Sequence, residues 1–316
     1  MSVRFAALPM VLSLTAQWAL AVSVIRVPQD AATIQAAVDR ANPGDIVFVS
    51  PGVYREAVVI NKSGIRLVAD VPADAFFRGP EERVVLDGEA VREMGIHVLG
   101  RSDQPVRDVS IRGFFLRRYM RGVMLENVDE SRVELIEAAD MVDPARPTFP
   151  AGIALSRSSF NSLLSNYLHD INHTGFYLTN GSRFNVIRGN LLFRNHTPGD
   201  LHFGCSVDLT SGRSPESGND YNVIVQNHGE WSDWGVGIFG PTPNVGNVIQ
   251  QNVFHTNHRS AVHIFEPSNG NFILDNDATG NGLLHLAPSG RFDLWDDPPL
   301  NNRWQGNRAY SPLSPF

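Results

Sequence analysis

The stretch "NVIQQN", Asn247–Asn252, places an amide at each end of a run that begins with Val248 and Ile249. The same frame returns as "NSLLSN" (Asn161–Asn166), "NVIRGN" (Asn185–Asn190), "NVIVQN" (Asn222–Asn227), "NFILDN" (Asn271–Asn276) and "NRWQGN" (Asn302–Asn307). Copies with one internal spacing make a repeat, and a repeat governs the reading of everything around it. The frames start 24, 37, 25, 24 and 31 residues apart. The shortest interval suits one solenoid coil of three short strands. The longer ones imply insertions at Thr197–Asp220 and around Leu283–Pro299.

Before each frame lies an alternating segment: "GIALS" (Gly152–Ser156), "GFYLT" (Gly175–Thr179), "SVDLT" (Ser206–Thr210), "GVGIF" (Gly235–Phe239), "AVHIF" (Ala261–Phe265) and "RFDLW" (Arg291–Trp295). Such alternation marks a strand with one buried face. "DVSIRG" (Asp108–Gly113) and "GVMLE" (Gly122–Glu126) read as coils without the asparagines. The fold expected is all-β: a single-stranded right-handed parallel β-helix whose coils stack at about 4.8 Å. The apolar residues between the two asparagines face the lumen. The asparagines sit at corners, where they tolerate the left-handed conformation and bond amide to amide along the stack. This makes the frame architecture, not a ligand site.

"DAATIQAAVDRANPGD" (Asp30–Asp45) has helical period, with Ile34, Ala37, Val38 and Ala41 on one side and Pro43-Gly44 as its stop. A short α-helix there would cap the N-terminal end of the solenoid and cover its edge. "IVFVSPGVYRE" (Ile46–Glu56) then opens the coils.

The 316 residues are 42% hydrophobic and 19% charged with net charge −7, which suits a globular core and points away from nucleic acid or an anionic membrane as partner. "MSVRFAALPMVLSLTAQWALA" has Arg4, an apolar run and Ala19-Leu20-Ala21, the layout of a cleaved secretory signal at residues 1–21. The expectation is one extracytoplasmic domain, residues 22–316, periplasmic or secreted and free of the membrane after cleavage. Cys205 is the single cysteine, so no internal disulfide exists, and its parity with Val207 and Leu209 predicts inward packing.

With these residues in hand, "ATIQAAVDRANPGDIVFVSPGVYRE" (Ala32–Glu56) resembles the start of the pectate-lyase-like right-handed β-helix superfamily. The Asn-framed coils are similar to its carbohydrate-binding and sugar-hydrolase repeat group. That group includes mannuronan C5-epimerases and the accessory β-helix proteins of nitrous oxide reductase maturation. The resemblance covers nearly the whole chain after residue 21. It implies a polysaccharide as substrate or ligand, laid along an outward face of the sheet. It does not name an activity. Lys62 is the only lysine, which argues against a lysine base. The paired-aspartate with Gly-His-Gly pattern of polygalacturonases is missing. So is the Asp-Pro-His-Asp signature of mannuronan epimerases, of which His169-Asp170 is a fragment.

If the alternate Ile, Leu, Val and Phe side chains point in, the residues between them point out. That outward row reads Ala154, Tyr177, Asp208, Gly237, His263, Asp293. It is either a site or a solvated sheet face. Asp208 and Asp293 would be about 14 Å apart across three coils, beyond the roughly 5–9.5 Å of glycosidase carboxylates. Tyr177 and Asp208 would be neighbours, and so would His263 and Asp293. A carboxylate beside His263 would raise its basicity for abstraction of the proton next to a uronate carboxylate, the first step of both β-elimination and C5 epimerisation. Arg259 would neutralise that carboxylate bidentately, and Tyr177 would protonate the departing oxygen or the opposite ring face. The expected function is a lyase or C5-epimerase of uronate glycans. The alternative is a non-catalytic carbohydrate-binding or accessory scaffold.

No cofactor is established. Calcium bridging a uronate through Asp208 or Asp233 is the one metal expectation, without a motif behind it. His169, His255 and His285 each stand nine residues before an inward Leu178, Ile264 or Leu294, which marks a repeat position more than a coordination shell. Phe239, Phe265 and Trp295 are read as one column, preceded by Trp231 and Trp234, either a platform for sugar rings or a packing stack.

Overall fold

A computed structural model of the chain describes residues 22–72, 79–142, 149–196, 204–282, 293–297 and 301–310. The proposed signal, His202, His285 and Phe292 lie outside them.

The chain winds as a parallel β-helix. An 11-stranded sheet runs from Val24–Val27 to Arg303–Gln305, and its strands pair in chain order. A second, curled sheet has two limbs joined through the long strands Val84–Leu99 and Phe114–Glu126. One limb stacks short strands such as Tyr167–His169 and His228–Glu230. The other stacks six-residue strands: Ala151–Ser156, Thr174–Thr179, Cys205–Thr210, Trp234–Phe239 and Ser260–Phe265. The lumen is filled by ladders of equivalent apolar residues, such as Leu163, Ile187, Ile224, Ile249 and Ile273, all fully buried. Hydrophobic burial along these rows drives the fold.

The helix spans Ile34–Arg40 and buries Ile34, Ala37 and Val38, as the period predicts. Thr33 caps its start by accepting from the Ala36 amide, and the Glu56 carboxylate accepts from the Ile34 and Gln35 amides. It packs on the strands Val24–Val27, Ile46–Val49 and Val58–Ile60, at the N-terminal end of the stack.

The asparagines form two amide ladders, buried up to their half-buried last rungs. Asn161, Asn185, Asn222, Asn247, Asn271 and Asn302 make one, and Asn166, Asn190, Asn227, Asn252, Asn276 and Asn307 the other. At each rung both the main-chain N–H and the side-chain Nδ2 donate to the Oδ1 of the next coil, as at Asn227 to Asn252, both at 2.9 Å. The conformational reason differs from the expectation. Positive φ belongs to the residue before each asparagine, for example Phe184 (55°), Tyr221 (57°), Gln226 (56°) and Gln251 (53°). The asparagine follows the bend and turns its amide inward, where satisfying buried main-chain donors is the greater gain.

Candidate functional site

The six-residue strands carry the outward row, and their first two residues break the alternation. Ala151, Thr174, Cys205, Trp234 and Ser260 open these strands, followed by Gly152, Gly175, Ser206, Gly235 and Ala261. The second residue faces inward and is small because the next coil is close. A β-carbon on Gly235 would lie 2.4 Å from the Ala261 carbonyl and 2.6 Å from the Phe254 ring. One on Gly175 would lie 2.7 Å from the Ser206 carbonyl. Ala261 itself belongs to the apolar core. The first residue therefore faces outward, on the same side as the fourth. Ala151 and Ala154 pack together with Met124 and Tyr177 outside the main core. Cys205 Sγ stands 2.9 Å from where a β-carbon of outward Gly237 would be. The expectation that Cys205 packs inward is thus corrected: it is fully buried, but beneath the outward face.

Register then orders the row. Tyr177 pairs with Asp208, Asp208 with Gly237, and Gly237 with His263. The row also extends backwards through Ala154 and Met124 to His97. Its far end differs from the expectation. Val262 pairs with Leu294 and His263 with Trp295, so Asp293 falls two residues short of the row. Alternation has a period of two, so a two-residue slip is invisible to it, which is why pattern alone misplaced Asp293. Asp293 instead ends a third polar ladder through Ser232, Asn257 and Asn281: its Oδ1 accepts from the Asn281 amide at 2.8 Å, and its Oδ2 from the Tyr310 amide at 2.8 Å. The Phe239–Phe265 pair holds, with ring centroids 4.6 Å apart, whereas Trp295 stands beside His263. Both phenylalanines face outward, half-buried, against Trp234.

Asp208 and Tyr177 line a cavity of about 310 Å³ with Thr210, Trp234, Phe239, Phe149 and His173. That is the lower end of the range for small-ligand pockets. Burial pushes the Asp208 carboxyl up to about 7, opposed by one hydrogen bond from Thr210 Oγ1 at 2.5 Å. Burial, with the Asp208 charge second, pushes the Tyr177 phenol up to about 12. Burial also holds His173 down to about 4. Two guanidinium groups flank the site: Arg121 lies 6.0 Å from the Tyr177 ring centroid and Arg259 4.8 Å from that of Trp234.

His263 lacks its expected carboxylate. It stacks on Phe265 at 3.6 Å and meets Trp234 and Trp295 edge-on. Neither ring nitrogen makes a hydrogen bond among the described residues. Burial, reinforced by Arg259, holds its basicity well below that of an ordinary histidine. Of the five expected residues, Tyr177 and Asp208 share the cavity, Arg259 borders it through Trp234, His263 lies two coils from Asp208, and Asp293 is elsewhere. Thr210, Phe149 and His173 were missed, and Trp234, expected only beside the aromatic column, lines the cavity. The signal for Trp234 was present, as the large residue before an inward small one.

Asp233 is fully buried and engaged: its Oδ2 accepts from the Gly204 amide at 2.7 Å and its Oδ1 lies 3.0 Å from His258 Nδ1. Among the described residues no three His, Cys, Asp or Glu side chains gather to hold a metal. Of the repeat-position histidines, His169 and His255 share one column through Phe193 and Glu230, Thr279 lies 3.2 Å from His255 in the next coil, and His285 lies outside the described residues.

The family model for the right handed beta helix region matches residues 70–221. The A-module of mannuronan C-5 epimerase AlgE6 from Azotobacter vinelandii superposes with a TM-score of 0.63 at 16% identity, over 89% of this chain and 93% of that one. The AlgE4 A-module of the same organism gives 0.54 at 15%, over 90% and 92%. The polygalacturonase from Erwinia carotovora ssp. carotovora gives 0.56 at 12%, over 87% and 76%. No curated protein matches the sequence. No helix among the described residues is long and apolar enough to cross a membrane.

Proposed function

We propose that the chain, a right-handed parallel β-helix with the fold of the epimerase A-modules and the polygalacturonase, acts outside the cytoplasm on a uronate-containing polysaccharide, as a lyase or C5-epimerase. Asp208 is its acid–base residue. The observation that carries this reading is a desolvated carboxyl poised near neutral pH beside a phenol that stays protonated, both on the wall of one cavity. Such perturbed pairs are the mark of proton-transfer sites.

In the ionised form Asp208 takes the C5 proton of a bound uronate. Arg259 or Arg121 neutralises the sugar carboxylate, which carries the developing charge. Tyr177 then gives its proton. Delivered to the O4 leaving oxygen as the C4–O4 bond breaks, it completes β-elimination. Delivered to the opposite face of C5, it completes epimerisation. The epimerase A-modules and the polygalacturonase with this fold make a polysaccharide the natural substrate class. His263, with its depressed basicity, serves in this scheme as part of an aromatic wall with Phe265 and Trp295.

The test is a panel of polyuronates with two readouts: ultraviolet absorbance of an unsaturated product, and exchange of the C5 hydrogen in heavy water. Activity in either channel that Asp208→Asn reduces at least a hundredfold supports the reading. Polyuronate binding with neither product nor exchange would leave a binding scaffold as the function.

A further inference from the structure

Away from the Asp208 cavity, the turns that carry the chain from the six-residue strands back to the 11-stranded sheet enclose a second hollow. Its volume is about 560 Å³, and it is lined chiefly by Arg157, Asn180, Arg183, Ser214, Glu216 and Ser217. It shares no lining residue with the first cavity.

Both arginines are held in place. Arg157 donates through Nε to Asn127 Oδ1 at 2.9 Å and through Nη2 to Glu126 Oε1 at 2.7 Å. Arg183 donates through Nε to the Gly218 carbonyl and through Nη2 to the Glu216 carbonyl, each at 3.0 Å, and its Nε lies 3.1 Å from Asp220. Neither Nη1 has a partner among the described residues. Two anchored guanidinium groups with unused donors are prepared for a planar anion. Asn180 and the Ser214 and Ser217 hydroxyls add polar groups for sugar hydroxyls. Glu216 adds an acceptor for a hydroxyl donor on the ligand.

The same turns carry a second oddity. Phe160, Phe184 and Tyr221 stack in parallel, with centroids 5.0 Å and 5.2 Å apart and ring planes within 4° and 10°. They are 57%, 45% and 51% exposed. Each sits at positive φ, where a bulky side chain is uncommon. The turn does not require it, since Gly246 and Gly270 fill the position in the following coils. Exposed aromatics in a costly conformation mark a contact surface.

We propose that this hollow is a second saccharide site, which takes a carboxylate-bearing sugar unit on the Nη1 groups of Arg157 and Arg183, with the Phe160–Phe184–Tyr221 stack as its apolar flank. The inference rests on the acidic-glycan reading of the chain and adds an anchor away from the chemistry. The experiment is calorimetric titration of the full chain with short oligogalacturonates, and with the same oligomers after carboxyl reduction. Arg157→Lys with Arg183→Lys keeps the charge and removes the forks, and melting temperatures confirm folding. Expected is at least a tenfold loss of oligouronate affinity in the double variant, with no change for the reduced oligomer. Phe184→Ser should weaken both ligands alike. Oligouronate affinity unchanged in the folded double variant overturns the inference and leaves the proposed chemistry standing. Arginine-dependent binding by a chain that shows no turnover does the opposite.

Discussion

Cys205 and Asp208 are three residues apart in one strand and lie on the same side of it, because the pleat loses a step at Ser206. Both are dehydrated there. Burial raises the Cys205 thiol far above its ordinary range, with the Asp208 charge adding to it. The thiol is therefore expected to be inert in the native protein. A disulfide reagent should label it only as urea unfolds the chain. Labelling of the native state at the rate of a free thiol would contradict this burial.

Asp208 also makes stability depend on pH. Its carboxyl keeps its proton to about 7 when folded, against 3.8 for the unfolded chain. Its contribution is therefore full below the unfolded value and disappears as pH rises through 7. At about 1.36 kcal/mol per unit, the effect is bounded at roughly 4 kcal/mol. Asp208→Asn cannot ionise, so its melting temperature should exceed that of the wild type above neutrality, and the difference should shrink toward pH 5. Parallel curves would exclude a raised carboxyl.

His263 and His173 act in the other direction. Both are held neutral by burial, so stability is lost as pH falls through about 6.5, where the unfolded histidines gain protons. His263→Phe keeps a ring against Phe265 and Trp234 and should melt higher than the wild type at pH 5 with little difference at pH 8. The His263 ring resonances should stay unshifted through the usual histidine range; a midpoint near 6.5 would show the ring to be hydrated.

The amide ladders predict a positional gradient. Asn227 donates to Asn252 Oδ1 and the Ile187 carbonyl, and it accepts from both donors of Asn190. Asn227→Ala strands several buried groups and is expected to cost about 3 kcal/mol or more in urea unfolding. Asn307 is half-buried, has no rung beyond it among the described residues, and should lose less. Equal losses would show that the ladders are not the source of the stability.

Gly235→Ala places its methyl against the Ala261 carbonyl and the Phe254 ring. An expected cost of about 2 kcal/mol or more follows from overpacking, with a lowered urea midpoint as the measurement. Retained stability would mean that the coils can part there freely.

The spiral was legible because its signals are local: the Asn spacing, the alternation and the helix at Ile34–Arg40 each restate one geometry. The site was legible in part. Tyr177 and Asp208 are neighbours because their strands follow one another with intact register. Asp293 was misassigned because a slip of two residues is invisible to a pattern with period two. Cys205 was misassigned because strict alternation puts it in the lumen, and the Ser206 beside it reveals the switch only once the approach of the next coil is known. Phe149 and His173 come from connecting turns, whose course is set by tertiary contacts and not by the repeat.

Every regular rung of the ladders gives its main-chain hydrogen and one side-chain hydrogen to the Oδ1 of the coil that follows it, so the molecule is held like a zip with a direction. Pulled from its C-terminal side, it should unspool in steps, one rung and 24 or 25 residues at a time where the winding is regular. A single-molecule trace would then show a sawtooth whose tooth spacing maps the insertions.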